Sequence, residues 1–204
     1  MPYRPEHKEE TRVRIIECAR RLFNRHGFSE VSIDQIMAEA GLTRGGFYNH
    51  FRNKEELFCE AVKFYATCNP SERWDGVEVD FEGERLTFAA QIVNAYLSRP
   101  HLDDLDYHCP MVALPSDIAR AGPAMRETYQ MLLQGMIGMF QSGVGGDDET
   151  ARRKAIAIAT LCIGGMVMAR TLDDAGFADE VRETARDLAL QIGAFDDPAS
   201  SRAA

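Results

Sequence analysis

The sequence predicts an all-α fold, on three observations. Apolar residues recur at helical spacing along most of the chain, no alternating run lasts long enough for a sheet, and four helix starts crowd into about 50 residues near the N-terminus. With 204 residues, 45% hydrophobic and 27% charged, the chain can bury a real core in one compact unit or two small ones, which excludes disorder.

The elements follow in order. Over residues 9–27, Ile15, Ile16, Ala19, Leu22 and Phe23 form an apolar stripe with Arg12, Arg20, Arg21 and Arg25 on other faces, and Gly27 supplies a stop. Ser32 with Gln35 makes a capping-box start for a short helix whose stripe is Ile33, Ile36, Met37 and Ala40, ending at Gly41. Thr43 is expected to cap a third helix through about Phe51, and Asn53 with Glu56 a fourth carrying Leu57, Phe58, Ala61 and Val62. Residues 69–83, "NPSERWDGVEVDFEG", read as a linker. Beyond it helices are expected at roughly 84–99, 110–121, 123–142, 148–174 and 177–193, punctuated by Pro100, Gly122-Pro123, "GVGG" and Gly176. The expected domains are therefore 1–58 and 59–196, with a flexible tail at 197–204.

Charge divides the same way. The chain carries −9 overall, but residues 1–58 hold 10 Lys and Arg against 9 Asp and Glu, while the remainder holds 13 against 23. Two modules with different partners are implied. The charged start "MPYRPEHKEETR" lacks the apolar stretch of a signal peptide, and the longest apolar run, 155–169, is shorter than the roughly 20 residues that span a bilayer. Five cysteines without a CxxC pair suit reduced thiols. A cytoplasmic protein with no membrane partner is the expectation.

One stretch stands out chemically. "GLTRGGFYNHFRNKEEL", residues 41–57, packs two Arg, two adjacent glycines, three aromatics, a His and a Lys into two helices' worth of chain. Two short helices joined at Gly41 behind a longer one are the parts of a helix-turn-helix, the second being the reader of a DNA major groove. Arg44 can pair bidentately with guanine, and Thr43, Tyr48, Asn49, His50 and Lys54 suit phosphate oxygens or nearby polar edges. Each glycine costs a helix up to about 1 kcal/mol, yet Gly45 and Gly46 let the backbone approach the duplex. Phe47 and Phe51, four residues apart, belong to the core.

The run from Gly27 to Phe58 resembles the DNA-binding domain of the TetR family of bacterial transcription regulators. Gly27, Ser32, the "AGLT" turn at 40–43, and Tyr48, His50, Phe51 and Lys54 carry the resemblance, over about residues 10–60. It implies an all-helical homodimer of about nine helices per subunit: an N-terminal three-helix DNA-binding domain with Ser32 among its contacts, and a C-terminal domain that binds a small ligand and dimerises. Expected partners are a palindromic double-stranded operator, a second copy of the chain and a small-molecule inducer; no cofactor or metal is called for, and the chain is expected not to be an enzyme.

For the C-terminal module, Ala155, Ala159, Cys162, Met166 and Ala169 lie where small residues allow close helix approach; with the last helix, 177–193, they resemble the pair that forms the family's four-helix dimer interface and are assigned to it, the alternative being an internal buried helix. Residues 123–142 are rich in methionine, read as core or as an adaptable apolar pocket with Met125, Tyr129 and Met136 as walls, joined by Trp74, Phe88, Tyr96 and Cys109. His101, Asp103, Asp104, His108 and Cys109 are metal-ligand types at a spacing that fits no common zinc signature. Cys109 is read as a packed thiol, with a reactive sensor thiol as the alternative; its neighbours Asp103, Asp104 and Asp106 disfavour a thiolate. A Cys–His enzyme lacks any orienting group or oxyanion element in recognisable spacing.

Overall fold

The computed structural model describes residues 5–195, which places the expected tail at 197–204 outside the described residues. Among them are eleven α-helices and one 3-10 turn, with no strand: α1 Pro5–Glu30, α2 Ile33–Glu39, α3 Arg44–Phe47, α4 Lys54–Tyr65, the 3-10 turn Pro70–Glu72, α5 Arg85–Tyr96, α6 Arg99–Asp103, α7 Pro110–Ala113, α8 Pro115–Ala119, α9 Pro123–Gly143, α10 Asp148–Arg170 and α11 Ala175–Gly193. The count exceeds nine because a proline cuts one expected helix and a short helix starts where none was expected. Pro115 has no N–H to continue the 110–121 helix, which becomes α7 and α8. Ser98 caps a new start with Pro100 in its first turn, so α6 separates from α5.

The chain does not part at residue 58, which lies inside α4. One compact unit holds the chain to Cys68 together with Leu105–Leu132; the other holds Asn69–Asp104 and the chain from Leu133. Burial explains the first grouping. Phe23, Phe47, Phe51, Phe58, Ile15, Ile36 and Leu57 form a core that Leu114, Ile118 and Met125 complete, each large side chain contributing roughly 1.5–3 kcal/mol. Polar contacts fix the same return: Asn24 Nδ2 donates to the carbonyls of Asp106 and His108, both at 2.9 Å, and Arg25 forks onto the Asp106 carboxylate. That fork holds the Asp106 carboxyl below its usual range.

The expected stop at Gly27 is a kink within α1, with φ 80° and ψ 165°, a conformation that a residue with a side chain adopts only under strain. Just past it the Phe28 N–H donates to Asp117 Oδ2 at 2.9 Å.

In the second unit, α10 and α11 pack so closely that a Cβ on Gly165 would lie 2.5 Å from the Ala185 Cβ. Ala155, Ala159, Cys162, Met166 and Ala169 are buried along α10, and Ala178, Ala185 and Ala189 are buried on α11. The small-residue face expected at a dimer interface is therefore spent inside the subunit. Burial raises the Cys162 thiol well above its ordinary value. The expected linker carries no α-helix, but its Trp74 is buried, stacked on His101 at 4.4 Å with Nε1 donating to Asp104 at 2.9 Å. Among the described residues, no helix is long and apolar enough to cross a membrane.

Candidate nucleic-acid interface

The pair α2–α3 is built by local chemistry. Ser32 Oγ accepts from Gln35 N–H at 3.2 Å, and Gln35 Oε1 accepts from Ser32 N–H at 2.7 Å, the expected capping box. Because the Ser32 hydroxyl also donates to Gln35 Oε1 at 2.9 Å, both of its roles serve the cap. At the other end Gly41 takes φ 67°, Leu42 N–H reaches Met37 O at 2.8 Å, and Gly41 N–H reaches Ala38 O at 3.0 Å. This is a Schellman stop, and it sets the tight turn into the next helix.

Helix α3 is shorter than expected. Regular α-helix covers only Arg44–Phe47, and Thr43 makes no side-chain cap. Helical turns run on to Phe51 through Asn49 N–H to Gly46 O at 3.2 Å, His50 N–H to Phe47 O at 2.9 Å and Phe51 N–H to Phe47 O at 3.0 Å. Two glycines in four residues account for the weak regular stretch. Phe47 and Phe51 anchor it in the core as expected.

The opposite side is open. Thr43, Arg44, Gly45, Tyr48 and Asn49 are exposed, Tyr48 by 57%, with its ring edge-on to Phe47 at 5.2 Å. A Cβ on Gly45 would meet nothing within 4 Å, and one on Gly46 would make an ordinary contact with Met37 at 3.6 Å. Neither glycine is demanded by packing within the chain. His50 is half-buried with Nδ1 shut off from solvent and without a hydrogen-bond partner; burial, then Lys8 and Arg12, push its pKa down.

Two expected contacts are tied up differently. Arg44 Nη1 donates to Asp34 Oδ2 at 2.6 Å, a partner that the sequence reading did not name. Lys54 is half-buried: Nζ donates to the carbonyls of Phe28 at 2.8 Å and Val31 at 2.7 Å, and sits 4.3 Å from the Phe28 ring centre. These are carbonyls left open where α1 ends, so Lys54 holds the α1–α2 junction instead of standing free for phosphate. Burial lowers its pKa. Lys54→Met is accordingly expected to cost roughly 1–3 kcal/mol of folding stability in urea titrations.

The expected ligand-pocket residues fall in both units. Trp74, Phe88, Tyr96 and Met136 belong to the second, where Tyr96 meets the His101 ring edge-on at 5.0 Å and Phe88 meets Phe81 at 5.3 Å. Cys109, Met125 and Tyr129 belong to the first. Met125 is a core residue there, packed with the α1 and α4 aromatics, and does not stand open as a pocket wall. Cys109 is fully buried, with two phenols around it. Burial, then the charge and hydrogen bond of Cys109, raise Tyr65 well above its ordinary value. Burial and then Cys109 push Tyr129 to about 12. Tyr65 was not legible as a neighbour, since 44 positions of sequence separate it from Cys109. Among the described residues no three His, Cys, Asp or Glu side chains converge as a metal site.

An α2–α3 pair with a buried phenylalanine side and an exposed polar, glycine-bearing side defines a helix-turn-helix protein. Residues 15–61 match the model of bacterial regulatory proteins, tetR family. The regulator AcrR of Shigella flexneri is 35% identical over 85 residues, covering 42% of this chain and 39% of that protein. TtgR of Pseudomonas putida is 46% identical over 52 residues, covering 26% and 25%. The chain thus spans well under half of the length of these relatives. Over the whole fold it is similar to NemR of E. coli in its reduced form, with a TM-score of 0.69 at 18% identity over 88% of this chain and 95% of that one. A TetR regulator from Chloroflexus aurantiacus gives 0.68 at 22% identity over 91% and 95%. Residues 15–61 thus carry the N-terminal domain pattern of the tetR family of bacterial regulatory proteins, and the rest of the chain is similar to such regulators in fold.

Proposed function

We propose that the chain is a cytoplasmic, ligand-controlled transcription repressor that binds a palindromic operator as a homodimer, with the exposed side of α3 in the major groove. The observation that carries this reading is the pair Gly45 and Gly46 in α3, with Gly45 facing open space, at a cost to the helix that nothing inside the chain repays. A backbone meant to approach base edges and sugars accounts for it. Arg44 reads guanine; Thr43, Tyr48 and Asn49 flank it for phosphate contacts.

Dimerisation belongs to the side of α10 and α11 that the subunit leaves open. Ile156, Thr160, Gly164 and Met168 follow one row of α10, and Phe177, Val181, Thr184 and Leu188 one row of α11; Met168 is 58% and Phe177 51% exposed. A Cβ on Gly164 would meet nothing within the subunit, so a partner's helix can come close there. The inducer is a neutral or cationic, largely apolar molecule, in keeping with the net negative charge beyond residue 58. Its binding shifts the population away from the DNA-competent form. Full burial of Cys109 between phenols favours a packed thiol over a sensor. A Cys109→Ser protein that binds operator but ignores every inducer would reverse that choice.

An electrophoretic shift with the DNA upstream of the chain's own gene tests the proposal. Retardation is expected, and Arg44→Ala is expected to lose roughly 1–3 kcal/mol on that DNA and little on random duplex. Equal loss on both would remove Arg44 from base reading.

A further inference from the structure

We infer that Asp34 is a specificity-determining positioning residue that aims Arg44 and withholds it from phosphate; the inference rests on the DNA-binding reading above. The Asp34 carboxylate takes Arg44 Nη1 at 2.6 Å, joining the first turn of α2 to the first residue of α3. Both side chains are more than half exposed, at 57% and 61%. An exposed pair of this kind adds little to folding stability. Nor does α2 need Asp34 for its start, since Ser32 and Gln35 already close the capping box. The pair has no evident work inside the fold.

At the surface of α3 it has two consequences. Arg44 stands exposed at the first turn of α3, ahead of two glycines, and a free arginine there would sample many rotamers. The carboxylate selects one. Among the described residues no partner takes the Nε–Nη2 edge, which is left as a donor fork of the kind that matches guanine O6 and N7. The second consequence is electrostatic. A guanidinium paired with a carboxylate is a poor counterion for phosphate, because a phosphate would have to displace Asp34 or accept its charge nearby. Asp34 therefore weakens binding to arbitrary sequence while sharpening it at the base pair that Arg44 meets.

Full-length wild type, Asp34→Asn, Asp34→Ala and Asp34→Glu are titrated by fluorescence anisotropy against an operator duplex and a random duplex of equal length, over a KCl series. For the Asn and Ala variants the operator-to-random affinity ratio is expected to fall ~10-fold, the preference for guanine at one position per half-site to relax, and random-DNA binding to tighten with a salt slope steeper by ~1 per subunit. Asp34→Glu, which keeps the charge, is expected to recover part of the ratio. A merely structural role would instead lower affinity for both duplexes in parallel along with the melting temperature. Parallel loss, or a ratio within about two-fold of wild type in both the Asn and Ala variants, overturns the inference while leaving the DNA-binding reading intact. A wild type that binds no DNA overturns both.

Discussion

Gly27→Ala is expected to lower folding stability by roughly 2–3 kcal/mol, read as a shift in the urea midpoint at unchanged slope. The backbone there sits at φ 80°, where a Cβ is strained whatever the space around it. Space is also lacking, since the Cβ would come to 2.8 Å from Asp117 Oδ2. That carboxylate can swing aside only by releasing the Phe28 N–H, which it holds at 2.9 Å. Comparison with Asp117→Ala separates the two terms. If strain dominates, Gly27→Ala stays costly in the Asp117→Ala background; if the close approach dominates, most of the cost disappears there. A Gly27→Ala protein as stable as wild type would mean that the chain does not turn at this residue as described.

The second large effect is loss of the dimer. Met168→Glu combined with Leu188→Glu places two carboxylates per subunit on the exposed rows of α10 and α11. Monomers are expected by sedimentation equilibrium, with operator affinity falling ~100-fold or more, because a single reading head makes half the contacts and loses the second half-site. Folding should survive, since both positions face solvent within the subunit. Ala159→Glu makes the contrast. Ala159 is buried within the subunit, so a charge there is expected to unfold the second unit outright. A double variant that remains dimeric would move the interface off these rows.

Much of the first unit was legible because its devices are local. The capping box at Ser32 and Gln35, the cap at Asn53, the Gly41 stop and the four-residue spacing of Phe47 and Phe51 depend on residues within one or two turns of each other. What failed depended on which distant surface a residue meets. Periodicity placed Ala155, Ala159 and Cys162 on one side of a helix, yet it says nothing of whether that side meets α11 of the same subunit or a partner. Lys54 carried the right charge for phosphate, but two carbonyls opened by the α1 kink, 23 and 26 residues earlier in the chain, hold it first. Met125 had the flexibility of a pocket wall and became core because residues 105–132 return to the α1–α4 cluster, a pairing that no local pattern announces. Asp34 was not legible for a similar reason: its pairing with Arg44 depends on the angle of the turn between them.

The central claim is that α3 reads sequence and that two copies read together. Selection of binding sites from a pool of randomised duplexes by the full-length chain tests it most directly. The enriched sites are expected to be inverted repeats with guanine at one fixed position of each half-site, the half-site centres about one helical turn or a multiple of it apart, and Arg44→Ala is expected to erase the preference at that position alone. A pool that stays random after repeated rounds, or that enriches single, unpaired motifs indifferent to Arg44→Ala, would contradict it.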